Sequence, residues 1–345
     1  MLDQKSATTR KLLLACRPQG EVKDSDFKLI SAALKEPAAG EILVQTLYLS
    51  IDPTNRIWMT DAPQYMPPVA IGEVMRALGV GIVLASKCKG FAVGDHVTGT
   101  VGWQEHACGR PEQLGLQRVE PVPGLPLTAY LGLLGATGGF TAYFGLLDIG
   151  RPQAGETVVV SAAAGSVGSM VGQIAKIHGC RVIGLAGGPE KCAYVTDELG
   201  FDACIDYKLG DLENAIATAC PEGIDVYFDN VGGAVLDAVL CNLQLKARIV
   251  LCGLISTYNS EVIVGPKHFE QVLMRRARIE GFIVLDYAER FPEAAPKLIE
   301  WSKAGKLRYR ETVLQGPLEM APEALRRLLR GEKKGKLSLQ LKALA

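Results

Sequence analysis

Small residues lie between a short apolar run and a helical pattern near the middle of the chain. The apolar run Thr157–Val160 leads into Ser161–Gly168, in which Gly165 and Gly168 are three positions apart. Glycine permits a tight turn and a close approach of the backbone to an anion, and a following helix offers unpaired N–H groups and the positive end of its dipole. This order predicts a pyrophosphate site for a dinucleotide. The predicted contacts are Ala164, Gly165, Ser166, Val167 and Gly168.

The glycine motif is incomplete, because Ala163 stands where G-x-G-x-x-G has its first glycine. A tight turn between strand and helix with no ligand is therefore the alternative. The run Arg181–Leu185 is followed by Ala186-Gly187-Gly188, where an NAD site places an acidic residue for the ribose 2′-hydroxyl. Without that carboxylate a 2′-phosphate is not repelled, and the ammonium group of Lys191 can pair with it. NADPH is therefore predicted over NADH, although a solvated lysine is the commoner case.

Asn230 follows the apolar run Val226–Phe228, at the carboxyl end of a predicted strand. Ligands of open α/β sheets bind at that edge, so Asn230 is a candidate cofactor contact. Because Asn also initiates turns, a turn into Val231-Gly232-Gly233 is the alternative.

Two different sequence patterns predict the strands and helices that position these residues. Between Lys11 and about Pro126, short apolar runs separated by Pro and Gly predict a β-rich domain. Later in the chain, apolar runs alternate with helical patterns, which predicts a parallel doubly wound sheet. These later runs are Thr157–Val160, Arg181–Leu185, Ile224–Phe228 and Ala247–Cys252. The alternating tail Leu337–Leu341 predicts a terminal strand that returns to the first domain.

Composition limits the class of protein. A chain of 345 residues is long enough for two domains. Lys+Arg and Asp+Glu both number 37, so no overall field favours nucleic acid or an anionic membrane. The N-terminus does not resemble a signal peptide, and no apolar stretch reaches the roughly 18 residues of a membrane span. A cytoplasmic protein is therefore expected, and nine cysteines scattered singly predict reduced thiols.

Several further motifs occur in order along nearly the whole chain. They are Tyr48–Pro53, Phe140–Leu146, Ala162–Lys176, Phe228–Gly233, Cys252–Tyr258 and Glu280–Ile283. In these segments the chain resembles the prostaglandin, leukotriene B4 dehydrogenase, curcumin and 2-alkenal reductase branch of the medium-chain dehydrogenase/reductases. The resemblance implies an α/β protein with a GroES-like β-rich domain (residues 1–126, completed by 318–345) and a Rossmann domain that binds NADPH (residues 127–317). It also implies a homodimer.

The resemblance further implies an activity and the residues that carry it. The activity is NADPH-dependent reduction of the carbon–carbon double bond of small α,β-unsaturated ketones and aldehydes. Tyr258 is expected to be catalytic, as a hydrogen-bond donor to the carbonyl oxygen, where negative charge develops. A tyrosine that anchors its hydroxyl to a loop is the alternative. The remaining implied cofactor contacts are Thr141, Lys191, Tyr207, Asn230, Cys252, Gly253, Ser256, Tyr258, Phe282, Ile283, Val284 and Lys333.

Zinc-dependent members of the same superfamily need a catalytic Cys and His and a cluster of four structural cysteines. These patterns are not found in the sequence, where His106 and Cys108 form an isolated close His/Cys pair. The expectation is therefore that no metal is used. Without a Lewis acid to polarise a simple carbonyl, the substrate must itself be electrophilic, as a conjugated carbonyl is.

The expected substrate residues are Ser50, Asp52, Thr54, Asn55 and Tyr258, and the sequence departs from its relatives at two of them, Thr54 and Asn55. Relatives read D-P-Y-M-R where this chain reads Asp52-Pro53-Thr54-Asn55-Arg56, so a wider or more polar pocket is expected. Lys333 replaces a frequent asparagine, and the turn Gly135–Gly139 carries one extra residue. Two alternative functions stay open: a quinone oxidoreductase and a non-catalytic, crystallin-like NADPH-binding protein.

Overall fold

The computed structural model describes residues 8–260, 262 and 264–341. The strands in this part of the chain are β1 (Thr8–Leu14), β2 (Phe27–Ala33), β3 (Ile42–Ile51), β4 (Leu78–Ser86), β5 (His96–Thr100), β6 (His106–Gly109), β7 (Gln117–Val119), β8 (Thr157–Ser161), β9 (Arg181–Ala186), β10 (Ala203–Asp206), β11 (Ile224–Asp229), β12 (Leu243–Leu251), β13 (Arg278–Gly281), β14 (Glu311–Gly316) and β15 (Lys336–Leu341). The α-helices are α1 (Thr54–Trp58), α2 (Thr141–Phe144), α3 (Ser166–Ile177), α4 (Pro189–Ala193), α5 (Leu212–Ala219), α6 (Gly233–Leu240), α7 (Glu270–Met274), α8 (Phe291–Lys303) and α9 (Ala321–Leu329).

A six-stranded parallel sheet organises the unit formed by residues 132–311 and 333–336. Its strand order is β10-β9-β8-β11-β12-β13, and every neighbouring pair is parallel. Counted from β8, this is the order 3-2-1-4-5-6 of a doubly wound dinucleotide-binding sheet. The predicted Rossmann sheet is therefore confirmed.

The central strand β8 shows why this sheet could be predicted from the sequence. Val158, Val159 and Val160 are all fully buried, as expected of a strand covered on both faces. Burying each valine side chain contributes on the order of 1.5 to 3 kcal/mol. A continuous β-branched run of this kind is typical of a parallel core strand.

The sequence patterns did not predict strands β10 and β13, and strand β12 begins earlier than expected. β10 has four half-buried residues, and β13 is a short strand at the sheet edge, so neither has a strong apolar run. β12 begins at Leu243 rather than Ala247. Lys246 lies inside it with a positive φ of 63°, and this irregular, polar start hides the strand in the sequence.

An antiparallel β structure forms the other unit, which comprises the described residues of 1–131, 312–332 and 337–345. Its larger sheet has the order β14-β15-β3-β4-β5-β7, with β6 paired to β3, and β1 pairs separately with β2. The tail strand β15 pairs antiparallel with β3, from Leu337 opposite Ile51 to Gln340 opposite Tyr48. The GroES-like β-rich domain and the returning tail are thus confirmed. Functional domain boundaries at 126/127 and 317/318 stay a prediction.

Among the described helices, none is both long enough and apolar enough to cross a membrane.

Candidate active site

The candidate site of the parallel sheet lies where the strand order reverses. β8 and β11 are neighbours, so the loops that follow them leave the same edge of the sheet. This carboxyl edge at the switch point is where doubly wound sheets bind ligands. The two loops are Ala162–Gly165 and Asn230–Gly232.

The loop after β8 is a tight turn into α3. Ala162 has a positive φ of 50°, and the Gly165 N–H donates to its carbonyl oxygen over 2.8 Å. Ala163, at the position of the missing first glycine, is buried and is not among the positive-φ residues, so glycine is not required there. Gly184 on β9 makes room for it, since a Cβ at position 184 would lie 2.9 Å from the Ala163 Cβ. The predicted order of strand, turn and helix is confirmed.

Gly168 is the tightest contact between α3 and this turn. A Cβ at position 168 would lie far inside van der Waals distance of the Ala162 carbonyl oxygen. We expect Gly168→Ala to lower the free energy of unfolding by about 1 to 3 kcal/mol, because helix or turn must shift. Chemical denaturation measures this, with Gly265→Ala as control, since a Cβ there meets open space. An equal change in both variants would contradict the packing role of Gly168.

The turn fits an anion such as a pyrophosphate. Ser166 Oγ at the start of α3 is buried and has no hydrogen-bond partner within the described residues. The segment after α9 lies against the turn, because the Gly335 N–H donates to the Ala164 carbonyl oxygen over 2.8 Å. That contact brings in Lys333, whose Nζ would lie 3.6 Å from a Cβ at position 165. An unsatisfied hydroxyl, a helix N-terminus and an ammonium group therefore meet at one turn.

A second cationic region surrounds Lys191, at the start of α4. The pKa of Lys191 is lowered first by burial and then by the positive charges of Lys208 and Lys334. Three ammonium groups that repel one another form a suitable site for a phosphate dianion. Sequence reasoning found only Lys191. Lys208 and Lys334 could have been found from their neighbours in the sequence, because each directly follows a predicted cofactor residue, Tyr207 or Lys333.

An acidic residue does occur near this region, on β10 rather than β9. Asp206 Oδ1 accepts the N–H groups of Gly188 at 2.9 Å and Lys208 at 3.0 Å. These two bonds lower the pKa of the Asp206 carboxyl. Its charge thereby holds the turn after β9 in place. The side chain of Tyr207 packs against Gly187 in the same turn. A Cβ at position 187 would lie only 2.6 Å from the Tyr207 hydroxyl oxygen.

The loop after β11 is built on a buried carboxyl that sequence reasoning missed. Asp229 is fully buried, and its Oδ1 accepts the N–H groups of Val231 and Gly232, both at 2.9 Å. Burial raises the pKa of Asp229. Asn230 ties the two loops together, since its Nδ2 donates to the Ser161 carbonyl oxygen over 2.8 Å. A cofactor contact by Asn230 stays a prediction.

Tyr258 lies beside the loop that follows β12. The N–H groups of Cys252 and Gly253 donate to the Asp229 carbonyl oxygen at 2.9 and 3.1 Å, which fixes this loop to β11. The Tyr258 hydroxyl oxygen accepts the Leu254 N–H at 3.2 Å and would lie 3.2 Å from a Cβ at position 253. Accepting this bond polarises the phenol O–H and strengthens it as a donor.

Other predicted cofactor residues belong to the same unit. Thr141 Oγ1 donates to the Ala136 carbonyl oxygen at 2.6 Å, and Ser256 Oγ donates to that of Val231 at 2.6 Å. Phe282 lies edge-on to Phe228, with ring centroids 6.4 Å apart. The remaining residues, Val167, Ile283 and Val284, are half-buried. Their cofactor contacts stay a prediction.

The turn before α2 is irregular, because Thr137 and Gly138 within Ala136–Phe140 have non-helical backbone angles. The extra residue expected there stays a prediction. Thr137 in this turn accepts a hydrogen bond at 3.1 Å from Nζ of the buried Lys336.

Of the expected substrate residues, Ser50, Asp52, Thr54 and Asn55 lie in the β-rich unit, whereas Tyr258 belongs to the parallel-sheet unit. Ser50, Asp52 and Asn55 are buried. Ser50 Oγ donates to Asp52 Oδ2, and the Asp52 N–H donates to Asn55 Oδ1 over 2.8 Å. Asn55 Nδ2 donates to the Arg76 carbonyl oxygen over 3.0 Å. These three side chains therefore hold the start of α1, where the half-exposed Thr54 lies, and their substrate role stays a prediction.

A tyrosine from further along the chain meets Thr54. The Tyr65 hydroxyl forms a hydrogen bond with Thr54 Oγ1 and accepts the Trp58 Nε1–H at 2.9 Å. Burial raises the pKa of Tyr65. A phenol thus lies next to the position where relatives carry tyrosine in the D-P-Y-M-R motif. Sequence reasoning missed Tyr65, which lies in a proline-rich loop with no motif of its own.

Comparison with known proteins places these features in a family. Residues 10–116 match the family described as the N-terminal domain of oxidoreductase, and residues 166–301 match the family described as zinc-binding dehydrogenase. The NADPH-dependent curcumin reductase of Escherichia coli is 43% identical over 346 residues, which cover 99% of both chains. The chain belongs to the medium-chain dehydrogenase/reductases.

Within the medium-chain dehydrogenase/reductases, the similarity is to the curcumin and 2-alkenal reductase branch. The NADP(+)-dependent 2-alkenal reductase of Nicotiana tabacum is 40% identical and is matched over 95% of this chain and 96% of its own. The crystal structure of CurA from Vibrio vulnificus in complex with NADPH is 45% identical, with a TM-score of 0.91 over 97% of this chain and all of the other. The predicted family is therefore confirmed.

Proposed function

We propose that this protein reduces the carbon–carbon double bond of α,β-unsaturated ketones and aldehydes with NADPH. The observation that carries the proposal is identity of 40% or more, over nearly the whole chain, to reductases named for curcumin and 2-alkenals. Both named compounds contain a double bond conjugated to a carbonyl group. The motifs around Gly165, Asn230 and Tyr258 lie at one sheet edge, as such a site requires.

The residues fit NADPH, which supplies a hydride when it is bound. The turn Gly165–Gly168, the buried Ser166 hydroxyl and Lys333 would hold the pyrophosphate. Lys191, Lys208 and Lys334 would hold the 2′-phosphate, which NADH lacks. Asp206 faces its backbone donors at the same turn, so its charge is already compensated.

Tyr258 supplies the hydrogen bond to the substrate carbonyl. Addition of hydride at the β-carbon moves an electron pair to the carbonyl oxygen, and a phenol donor lowers the energy of that charge. A proton then adds at the α-carbon, so that one hydride and one proton saturate the double bond. The bond from the Leu254 N–H holds the phenol oxygen in position while it donates.

Steady-state NADPH oxidation against a panel of acceptors tests this function. Enones and 2-alkenals should be reduced, whereas their saturated counterparts should not. Faster turnover of quinones would favour the quinone oxidoreductase alternative. Binding of NADPH without turnover of any acceptor would favour the crystallin-like alternative.

We further propose that Thr54 and Tyr65 together take the substrate role that tyrosine has in relatives at position 54. Tyr65→Phe removes the hydroxyl that bonds to Thr54 and Trp58. We expect KM for an enone to rise by about fivefold, since one neutral hydrogen bond contributes roughly 1 kcal/mol and about 1.4 kcal/mol corresponds to a factor of ten. KM for NADPH should not change. Tyr130→Phe, which removes a hydroxyl bonded to the Glu120 carbonyl oxygen, is the control.

We also propose that the protein is a homodimer, as its relationship suggests. Exposed apolar side chains cluster around α7 and the segment before it, including Phe269 and Leu273. Edge strand β13 follows closely and pairs on one side with β12. Exposed apolar side chains grouped along one segment are typical of association sites.

Sedimentation velocity tests the dimer. We expect Leu273→Glu to convert dimer to monomer, because it places a charge in the apolar cluster. Leu209→Glu is the matched control, since Leu209 is 84% exposed and Leu273 is 70% exposed. A dimer that persists in Leu273→Glu would mean that the interface lies elsewhere on the protein.

A cytoplasmic location also stays a proposal, supported by nine free cysteines.

A further inference from the structure

Three potential metal ligands meet in the parallel-sheet unit, outside the residues assigned to NADPH. Glu213 lies in the first turn of α5, Cys241 directly follows α6, and His268 precedes α7. One carboxylate oxygen, the thiol sulfur and one imidazole nitrogen all lie within 4.8 Å of one another. The sequence predicted no metal site, because these residues are widely separated along the chain.

Hydrogen bonds between side chains and the backbone hold the three elements together without using the ligand atoms. Asn242 Nδ2, next to Cys241, donates to the carbonyl oxygens of Glu213 at 3.3 Å and Ala238 at 2.9 Å. Asp237 on α6 accepts the Lys267 N–H at 2.6 Å, which fixes the residue before His268. Cys241 and His268 are half-buried, whereas Glu213 is exposed. The cluster is therefore partly desolvated and built on anchored backbone.

The charges around the thiol are those that a cation requires. The charged groups that act on the Cys241 thiol are Glu213, Glu270 and Asp237. All three of these neighbours are acidic. Glu270 Oε1 also lies 3.8 Å from His268 Nδ1. This carboxylate adds a further negative charge beside the imidazole.

We propose that Glu213, Cys241 and His268 bind a zinc ion. Thiolate, imidazole and carboxylate together are a ligand set that Zn²⁺ accepts, and three protein ligands leave a fourth position for water. On binding, the thiol loses its proton to solvent and a sulfur–zinc bond forms, so the ion takes the place of that proton beside Glu213. The ion would link α5, α6 and the segment before α7, and would stabilise the fold rather than take part in reduction.

Cobalt titration of the chelator-treated full chain tests the site. Co²⁺ substitutes for zinc and reports its ligands by absorbance. We expect saturable binding with a thiolate-to-cobalt charge-transfer band in the near ultraviolet, and displacement of cobalt by Zn²⁺. Cys241→Ser should abolish the band and weaken binding by about 100-fold or more, exceeding the 10- to 100-fold typical of lost outer-shell partners. His268→Ala should weaken binding similarly.

Cys88→Ser is the matched control, because Cys88 is a half-buried thiol of the other unit. It should retain the band and the affinity. Zn²⁺ should raise the melting temperature of wild type and Cys88→Ser but not of Cys241→Ser. A band that survives in Cys241→Ser, or absence of saturable binding in wild type, would overturn the proposal. Circular dichroism of each variant shows whether it is folded, and no result depends on enone reduction.

Discussion

Tyr258→Phe is expected to lower kcat for an enone by about 100-fold or more, the range typical of a lost hydrogen-bond donor to a developing oxyanion. The phenol lies beside Gly253 at the carboxyl end of β12, where it accepts the Leu254 N–H. Phenylalanine keeps the ring and removes only the hydroxyl. The charge that develops on the substrate oxygen then loses its donor, while binding of NADPH does not depend on that charge. Steady-state kinetics should therefore show a fall in kcat with little change in KM for NADPH.

A purely structural role for Tyr258 makes a different prediction. The hydroxyl also anchors the loop Cys252–Tyr258 through Leu254. If anchoring were its only role, the variant would bind NADPH more weakly in a fluorescence titration, with kcat nearly intact at saturation. Tyr130→Phe controls for loss of a tyrosine hydroxyl elsewhere. Unchanged kcat in Tyr258→Phe would refute the catalytic role.

Lys191→Ala is expected to lower kcat/KM for NADPH by about 10- to 100-fold. A hydrogen bond to a charged group contributes roughly 1.5 to 3 kcal/mol, and about 1.4 kcal/mol corresponds to a factor of ten. Lys208 and Lys334 lie close enough to influence Lys191, so part of the attraction for a 2′-phosphate remains. The kcat/KM for NADH should hardly change, because NADH has no 2′-phosphate.

The comparison of the two coenzymes separates recognition of the phosphate from general damage. Equal losses with NADPH and NADH would mean that Lys191 supports the fold around α4 rather than the phosphate. Lys303→Ala, at the exposed end of α8, is the control for removal of a surface lysine. It should leave both coenzymes unaffected.

Local sequence patterns were enough to predict the features that are formed by residues close together in the chain. The valine run of β8, the small residues of its turn and the helical spacing of α3 are adjacent in the chain, so their order could be read directly. Repetition of that pattern predicted the doubly wound sheet, and the order of motifs predicted the family. Strands β10 and β13 were missed because short edge strands carry little apolar periodicity.

Tertiary structure alone decided which distant side chains meet. Lys208 and Lys334 join Lys191, and Tyr65 reaches Thr54, through contacts between separate elements. Asp206 shapes the turn after β9 because β10 pairs with that strand. Such meetings depend on strand order and on the paths of loops, which periodicity does not encode. The sequence by itself therefore determined the class of fold and the cofactor turn, whereas the charges and hydroxyls around them were set by packing.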